Sequence, residues 1–191
     1  MVRLVRVWVG IFLGCFVLSV AGAVRSVSRV AALRAGGAGA VGEAVVCLGY
    51  RRVGDGGGGL FVWESGDLSS AAAVDPRGGV VVAPAGMSSG DRGACVRQYG
   101  GAVNVLWFGA AGDGRTDDSG AFQAAIAFAK SRQRSVYAPD RSYVIGDTLR
   151  FEAPSGVTYW KAGTERRPLR FECDGTLLYR GRGAAVEMIG Q

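Results

Sequence analysis

From Val103 to Lys130 the chain reads VNVLWFGAAGDGRTDDSGAFQAAIAFAK, and this stretch restricts the fold more than any other. Val103, Val105 and Trp107 alternate with Asn104 and Leu106, the period of a strand, before the run breaks at Gly109-Ala110-Ala111-Gly112-Asp113-Gly114. Thr116, Asp117 and Asp118 follow, three side chains able to accept hydrogen bonds from the free N–H groups of a helix start, with acidic charge suited to its positive end. Phe122, Ala125, Ile126 and Ala129 then fall on one helical stripe, which must be buried against another element. The expectation is strand, tight turn, amphipathic helix.

The string Asn104-Val105-x-x-Phe108-Gly109-Ala110-x-Gly112-Asp113-Gly114-x-Thr116-Asp117-Asp118, with Ala121-x-Gln123-x-Ala125-Ile126 after it, resembles the opening signature of the pectate-lyase-like superfamily of right-handed β-helix proteins. That superfamily includes polygalacturonases, rhamnogalacturonase-like and epimerase-like proteins and phage tailspikes. The resemblance implies that the helix after Thr116-Asp117-Asp118 closes the N-terminal end of the solenoid. Such a scaffold carries lyases, hydrolases and non-catalytic binders, so the motif speaks for fold and not for chemistry. A second resemblance runs from Leu48-Gly49-Tyr50 through Gly54-Asp55-Gly56-Gly57-Gly58-Gly59 to Phe61-x-Trp63, and is to the small β-rich module that precedes the β-helix in tailspike-like proteins. Relatives place a Trp-containing strand later in that module, where this chain has Gly93-Ala94-Cys95-Val96.

A chain of 191 residues with 49% hydrophobic content suits one main folded unit. Its 32 glycines lack the three-residue period of collagen and mark turns in a β-rich protein. The net charge of +6 comes from scattered arginines with no basic block, which reads as a solvated surface and not as a nucleic-acid site; an acidic polysaccharide is the weaker alternative partner. With no histidine at all, mechanisms built on an imidazole base are excluded. The four cysteines, Cys15, Cys47, Cys95 and Cys173, form no CxxC pair, so no zinc ribbon or thioredoxin-like site is expected. One disulfide among Cys47, Cys95 and Cys173 and buried free thiols both remain open.

In chain order, residues 1–23 carry Arg3 and Arg6, an apolar run and Ala21-Gly22-Ala23, the layout of a secretory signal, with an uncleaved membrane anchor as the alternative. The expected localisation is secreted or extracytoplasmic. Residues 24–42 are a lead-in with a short helix capped by Ser28, and residues 43–101 form the small β-rich module, with strands at Glu43–Tyr50, Leu60–Glu64 and Val80–Ala83. Gly56 to Gly59 invite a phosphate-loop reading, but neither the Gly-Lys-Ser/Thr ending nor a following helix is there. Residues 102–191 are the cap and first coils, with strands at Ser135–Pro139, Tyr143–Ile145, Thr148–Phe151, Val157–Trp160, Leu169–Cys173, Thr176–Tyr179 and Ala185–Ile189. The fold class is therefore mainly β: the start of a right-handed parallel β-helix with a capping α-helix, preceded by the β-rich module. About three stacked repeats are needed for a stable shared core, and the sequence to Gln191 holds two or three coils without a closing cap, so a truncated solenoid lacking catalytic coils is expected.

Asp113, Asp117 and Asp118 are the carboxylates best placed to attract a chemical reading, as an acid/base set or a calcium site. A turn at Asp113-Gly114 and a helix cap at Thr116-Asp117-Asp118 account for them structurally, and that reading is preferred. Tyr137, Tyr143, Tyr159, Trp160 and Tyr179 can stack on sugars or fill a core, the second being the commoner use. Asp140, Asp147, Glu152 and Asp174 show no spacing that singles out a pair. No catalytic residue, cofactor or metal is assigned. By resemblance the expected function is recognition or degradation of extracellular polysaccharide; the alternative is a non-catalytic, tailspike-like adhesion module, homotrimeric in one form.

Overall fold

The computed structural model of the protein describes residues 24–87, 90–152 and 170–189. The expected signal 1–23, Cys15 and the expected strand Val157–Trp160, with Tyr159 and Trp160, lie outside the described residues.

Strands β1 (Arg25–Val27), β2 (Ala44–Cys47), β3 (Gly59–Glu64), β4 (Val81–Val82) and β5 (Ala94–Arg97) form one sheet in the order β1-β2-β3-β5-β4. β1 runs parallel to β2 and the other pairings are antiparallel. The stretch 24–42 thus contributes β1 and a short helix, α1 (Val30–Ala35), to this unit. Ser28 does not cap α1: the N-cap is Arg29, in an extended conformation, and no side chain caps the helix. A second short helix, α2 (Ser69–Val74), had no signal in the sequence, since its Ser and Ala residues show no apolar period. Alternate side chains of β2, β3 and β5 (Val45, Cys47, Phe61, Trp63 and Cys95) meet Val30, Leu33 and Val82 in one core. The Trp63 ring lies where a side chain at Gly93 would stand: a Cβ there would come within 2.6 Å of Trp63 Cζ2.

The remaining strands are β6 (Val103–Asn104), β7 (Asp113–Asp117), β8 (Val136–Ala138), β9 (Ser142–Ile145), β10 (Leu149–Glu152), β11 (Phe171–Cys173), β12 (Thr176–Tyr179) and β13 (Val186–Ile189). They make three parallel sheets, β6-β8-β11, β7-β9-β12 and β10-β13. β8, β9 and β10 are one coil and β11, β12 and β13 the next, each strand in register with its counterpart. This is the start of a parallel β-helix. Val103, Val136 and Phe171 align across three coils, and Tyr143 with Leu177, Ile145 with Tyr179 and Leu149 with Val186 continue the stack. Like residues piled this way build a continuous apolar interior.

Helix α3 (Ser119–Arg132) packs on β10, which pairs only with β13 among the described residues. The predicted stripe is buried: Phe122, Ala125, Ile126 and Ala129 are each 1% exposed or less, and Phe122 meets Tyr143 and Phe171 edge-on, with centroids 5.1 and 6.2 Å apart. Burial of Phe122 and Ile126 stabilises this end by ~2–3 kcal/mol each. Helix α3 also closes the open edge of β10. The Gln123 side chain accepts a hydrogen bond from Arg150 N and donates one to Arg150 O, as a neighbouring strand would.

Two local expectations are corrected. The strand predicted over Val103–Trp107 stops after Asn104 and becomes a 3₁₀ turn, Val105–Phe108, because the Asn104 side chain accepts the Leu106 N–H. The Thr116–Asp117 part of the expected cap lies in β7, leaving the helix to begin at Ser119.

Arg97 joins the two units. It is 3% exposed, donates to the carbonyls of Gly57, Gly58 and Gly79, and lies between the rings of Phe61 and Trp107, 4.5 and 4.8 Å from their centroids. Burial lowers its pKa to about 10, which still leaves it charged at neutral pH. Gly79 sits against Phe108, where a Cβ would come within 2.8 Å of three ring carbons.

Candidate functional site

The three aspartates of the opening motif come together around the start of α3, and each is occupied by the backbone. Asp113 accepts from the N–H groups of Arg115 and Thr116 and from the Thr116 hydroxyl, and these donors hold its pKa down to about 2. Asp117 accepts from Ser119 N, Ser119 Oγ and Gly146 N, which lower its pKa. Asp118, expected to cap the helix, turns away from it and accepts from Ala111 N and Gly112 N instead. Burial raises its pKa, with those two donors opposing. A sugar-cleaving pair needs one carboxyl free to give a proton and another free to attack or activate water. These aspartates fold the turn and have no such freedom. Among the described residues no group of three His, Cys, Asp or Glu side chains is arranged to hold a metal ion.

The described tyrosines divide between interior and rim. Tyr143 is fully buried, donates to Pro139 O, and has its pKa raised by burial. Tyr137 donates to the Asp174 carboxylate, and Tyr179 donates to Arg182 O. None presents an open face in a row. Cys47, Cys95 and Cys173 are free thiols, the first two buried. Burial raises all three pKa values, Cys95 to about 11, so none is poised as a thiolate nucleophile.

A concave feature does occur where β9 turns into β10 above the β12–β13 turn. It is a groove of about 540 Å³ lined by Gly146, Asp147, Thr148, Arg150, Gly181 and Arg182. Its floor is fixed: Thr148 Oγ1 donates to Ala184 O, Ser119 Oγ accepts from Gly146 N and Asp147 N, and Arg150 pairs with Glu187 at 3.4 Å. Asp147 is the one carboxylate in the lining, with two guanidinium groups nearby. Glu152 lies outside it, paired with Lys130, and Asp140 is exposed on the β8–β9 turn. Of the acids named from sequence, only Asp147 reaches this groove; Arg150 and Arg182 were missed, because turns from successive coils meet only once the coils are stacked.

Parallel coils under a buried helical plug agree with the expected fold. Residues 102–158 match the family model of rhamnogalacturonase A/epimerase, pectate lyase-like proteins. The chain is also similar to solved tailspikes. That of Acinetobacter baumannii phage AM24 superposes with TM-score 0.61 at 18% identity, over 83% of this chain and 23% of that one. The enzymatically active domain of bacteriophage CBA120 tailspike protein 4 gives TM-score 0.56 at 18% identity, over 87% of this chain and 20% of that one. Pantoea stewartii WceF, a glycan biofilm modifying enzyme with a tailspike-like parallel β-helix fold, gives 0.54 at 19% identity, over 83% and 22%. The chain spans less than a quarter of each of these proteins. No curated protein matches the sequence. The likeness to tailspike folds extends over most of the chain and the pectate-lyase-like match over residues 102–158, and at these identities it is the fold that is shared.

Proposed function

We propose that this protein is an extracytoplasmic polysaccharide-recognition protein of the tailspike kind, exported by its N-terminal segment. The observation that carries this reading is the stack of parallel coils closed by α3, a scaffold whose solved relatives include a glycan-modifying enzyme. The groove at Gly146–Arg150 is the surface on the coils that suits a sugar chain. It is open and polar, with hydroxyl, carboxylate and guanidinium groups to meet sugar hydroxyls. Binding without cleavage is the preferred form, since Asp147 is the one carboxylate in the lining and the neighbouring acids are engaged, Asp117 by Ser119 and Gly146 N–H and Glu187 by Arg150.

The test is a glycan-binding screen on the full chain, combined with light scattering and an assay for released reducing or unsaturated sugars. Binding without release, by a trimer or a monomer, supports the reading. Sugar release abolished by Asp147→Asn would convert it to a depolymerase. A chain that retains no glycan would end it.

A further inference from the structure

Beside the N-terminal unit's α1 and the turn after β2 lies a cleft of about 330 Å³. Four arginines line it, Arg29, Arg34, Arg51 and Arg77, together with Val30 and the half-buried ring of Tyr50. Like charges gathered in one concavity repel one another, so such a cluster is stable when something anionic shares it. Among the described residues no carboxylate lines the cleft. Among the described residues the ion pairs involve other arginines and Lys130, and none of these four has a carboxylate within 4.0 Å.

The carboxylates nearest in sequence are already spent on the backbone. Asp55 accepts from the N–H groups of Tyr50, Arg51, Arg52 and Gly57, and buried Asp75 accepts from those of Gly79, Val80 and Val81. Both tie down the loops that carry the arginines. The lining is also braced by neutral contacts: Arg34 Nη2 donates to Pro76 O, Arg77 Nη1 donates to Phe108 O, and Tyr50 Oη donates to Arg77 O. Each guanidinium has five N–H donors, so most remain for a ligand. Their field is felt inside the cleft: burial raises the pKa of the Tyr50 hydroxyl, Arg77 and Arg34 pull it back, Asp75 beneath the loop adds to the rise and Arg51 opposes it.

The shape narrows the choice of ligand. A volume of about 330 Å³ lies at the small end of ordinary ligand pockets, ~300–1,000 Å³, and suits a sugar unit or two, whereas a duplex or a bilayer needs an extended basic face. Planar guanidinium forks match carboxylate and phosphate oxygens in pairs, and an apolar wall with a tyrosine ring suits the face of a pyranose. We propose that this cleft binds an anionic sugar unit, a pyranose bearing a carboxylate or a phosphate, so that the N-terminal unit grips polysaccharide independently of the coils. The inference rests on the polysaccharide reading above and adds a second site and a charge requirement to it.

The test is calorimetric titration of the full chain with a galacturonate trisaccharide, its methyl ester and glucose 6-phosphate, at low and high ionic strength. The double variant Arg29→Gln/Arg51→Gln is the probe, since both side chains are exposed and neither braces the fold; an unchanged melting curve verifies that. Salt-sensitive binding of the acid or the phosphate is expected, weakened about tenfold in the double variant and about tenfold for the neutral ester. Preference between acid and phosphate identifies the anionic group. Equal binding of acid and ester, untouched by the double variant, overturns the cleft and leaves polysaccharide recognition standing. No binding of any of these saccharides overturns the cleft proposal, and the glycan screen decides polysaccharide recognition separately. Duplex DNA or anionic vesicles bound through these arginines, with the saccharides failing to compete, also overturns the proposal.

Discussion

In the N-terminal sheet, loop backbone is tied down by acidic and guanidinium side chains: Asp55 within the Tyr50–Gly57 loop, Asp75 under Gly79–Val81, and Arg97 against Gly57, Gly58 and Gly79. In the coil unit carboxylates do this only around the entry to α3, where Asp113, Asp117 and Asp118 accept backbone N–H groups. Beyond it the turns are held by neutral groups: Tyr143 to Pro139, Thr148 to Ala184, Tyr179 to Arg182, and the Ser119 and Gln123 side chains along the first coil's edge. The loops of the sheet are long, glycine-rich and each different, so every one needs its own strong anchor, and charge-assisted hydrogen bonds are about twice as strong as neutral ones. The turns of a coil lie on the turns of the next, so stacking does most of the ordering and one hydroxyl completes it.

Three measurements would break or sharpen that contrast. Phe122→Ala empties the plug of the solenoid and should cost ~3–5 kcal/mol in urea unfolding, with hydrogen-exchange protection lost first in β8, β9 and β10. Loss of protection spread evenly over β2 and β3 would show that the two units unfold as one. Asp75→Ala leaves the N–H groups of Gly79, Val80 and Val81 without their acceptor and should cost ~2–4 kcal/mol, concentrated in the N-terminal sheet. A cost below ~1 kcal/mol would mean that water replaces the carboxylate and that the anchor is dispensable.

Acid should give the smallest effect and the most selective one. The folded pKa of Asp113 is about 2, below the unfolded value of ~3.9, so its stabilising contribution is complete above ~3.9 and disappears as pH falls through about 2. For Asp55, burial pushes upward but four N–H donors win, and its pKa is also lowered, so its contribution is lost in the same direction. Exchange should therefore rise at Tyr50–Gly57 and at Arg115 and Thr116 below pH ~4, while the hydroxyl-held turns at Pro139 and Ala184 stay protected. Uniform loosening would erase the distinction.

The sequence made the fold legible where periodicity and motif agree. The stripe of Phe122, Ala125, Ile126 and Ala129 is buried as its spacing demands, and β8, β9, β10, β12 and β13 lie within a residue or so of the runs that suggested them. It misled where a side chain intervened locally: Asn104 turned a strand into a 3₁₀ turn, and Asp118 faced backwards to Ala111 and Gly112. It was silent about Arg97, the contact of Gln123 with Arg150 and the arginine cleft. Their partners lie on distant segments, and no spacing rule connects Arg29 with Arg51 and Arg77 before the chain is folded.

The position of Arg97 bears on how this chain can be cut and recombined. A chimaera joined just before Val103 would keep the arginine and discard Trp107, leaving a cation with one aromatic wall missing and Gly79 facing an empty socket where Phe108 had been. The workable suture is therefore after Phe108, so that a transplanted N-terminal half travels with the first turn of its neighbour.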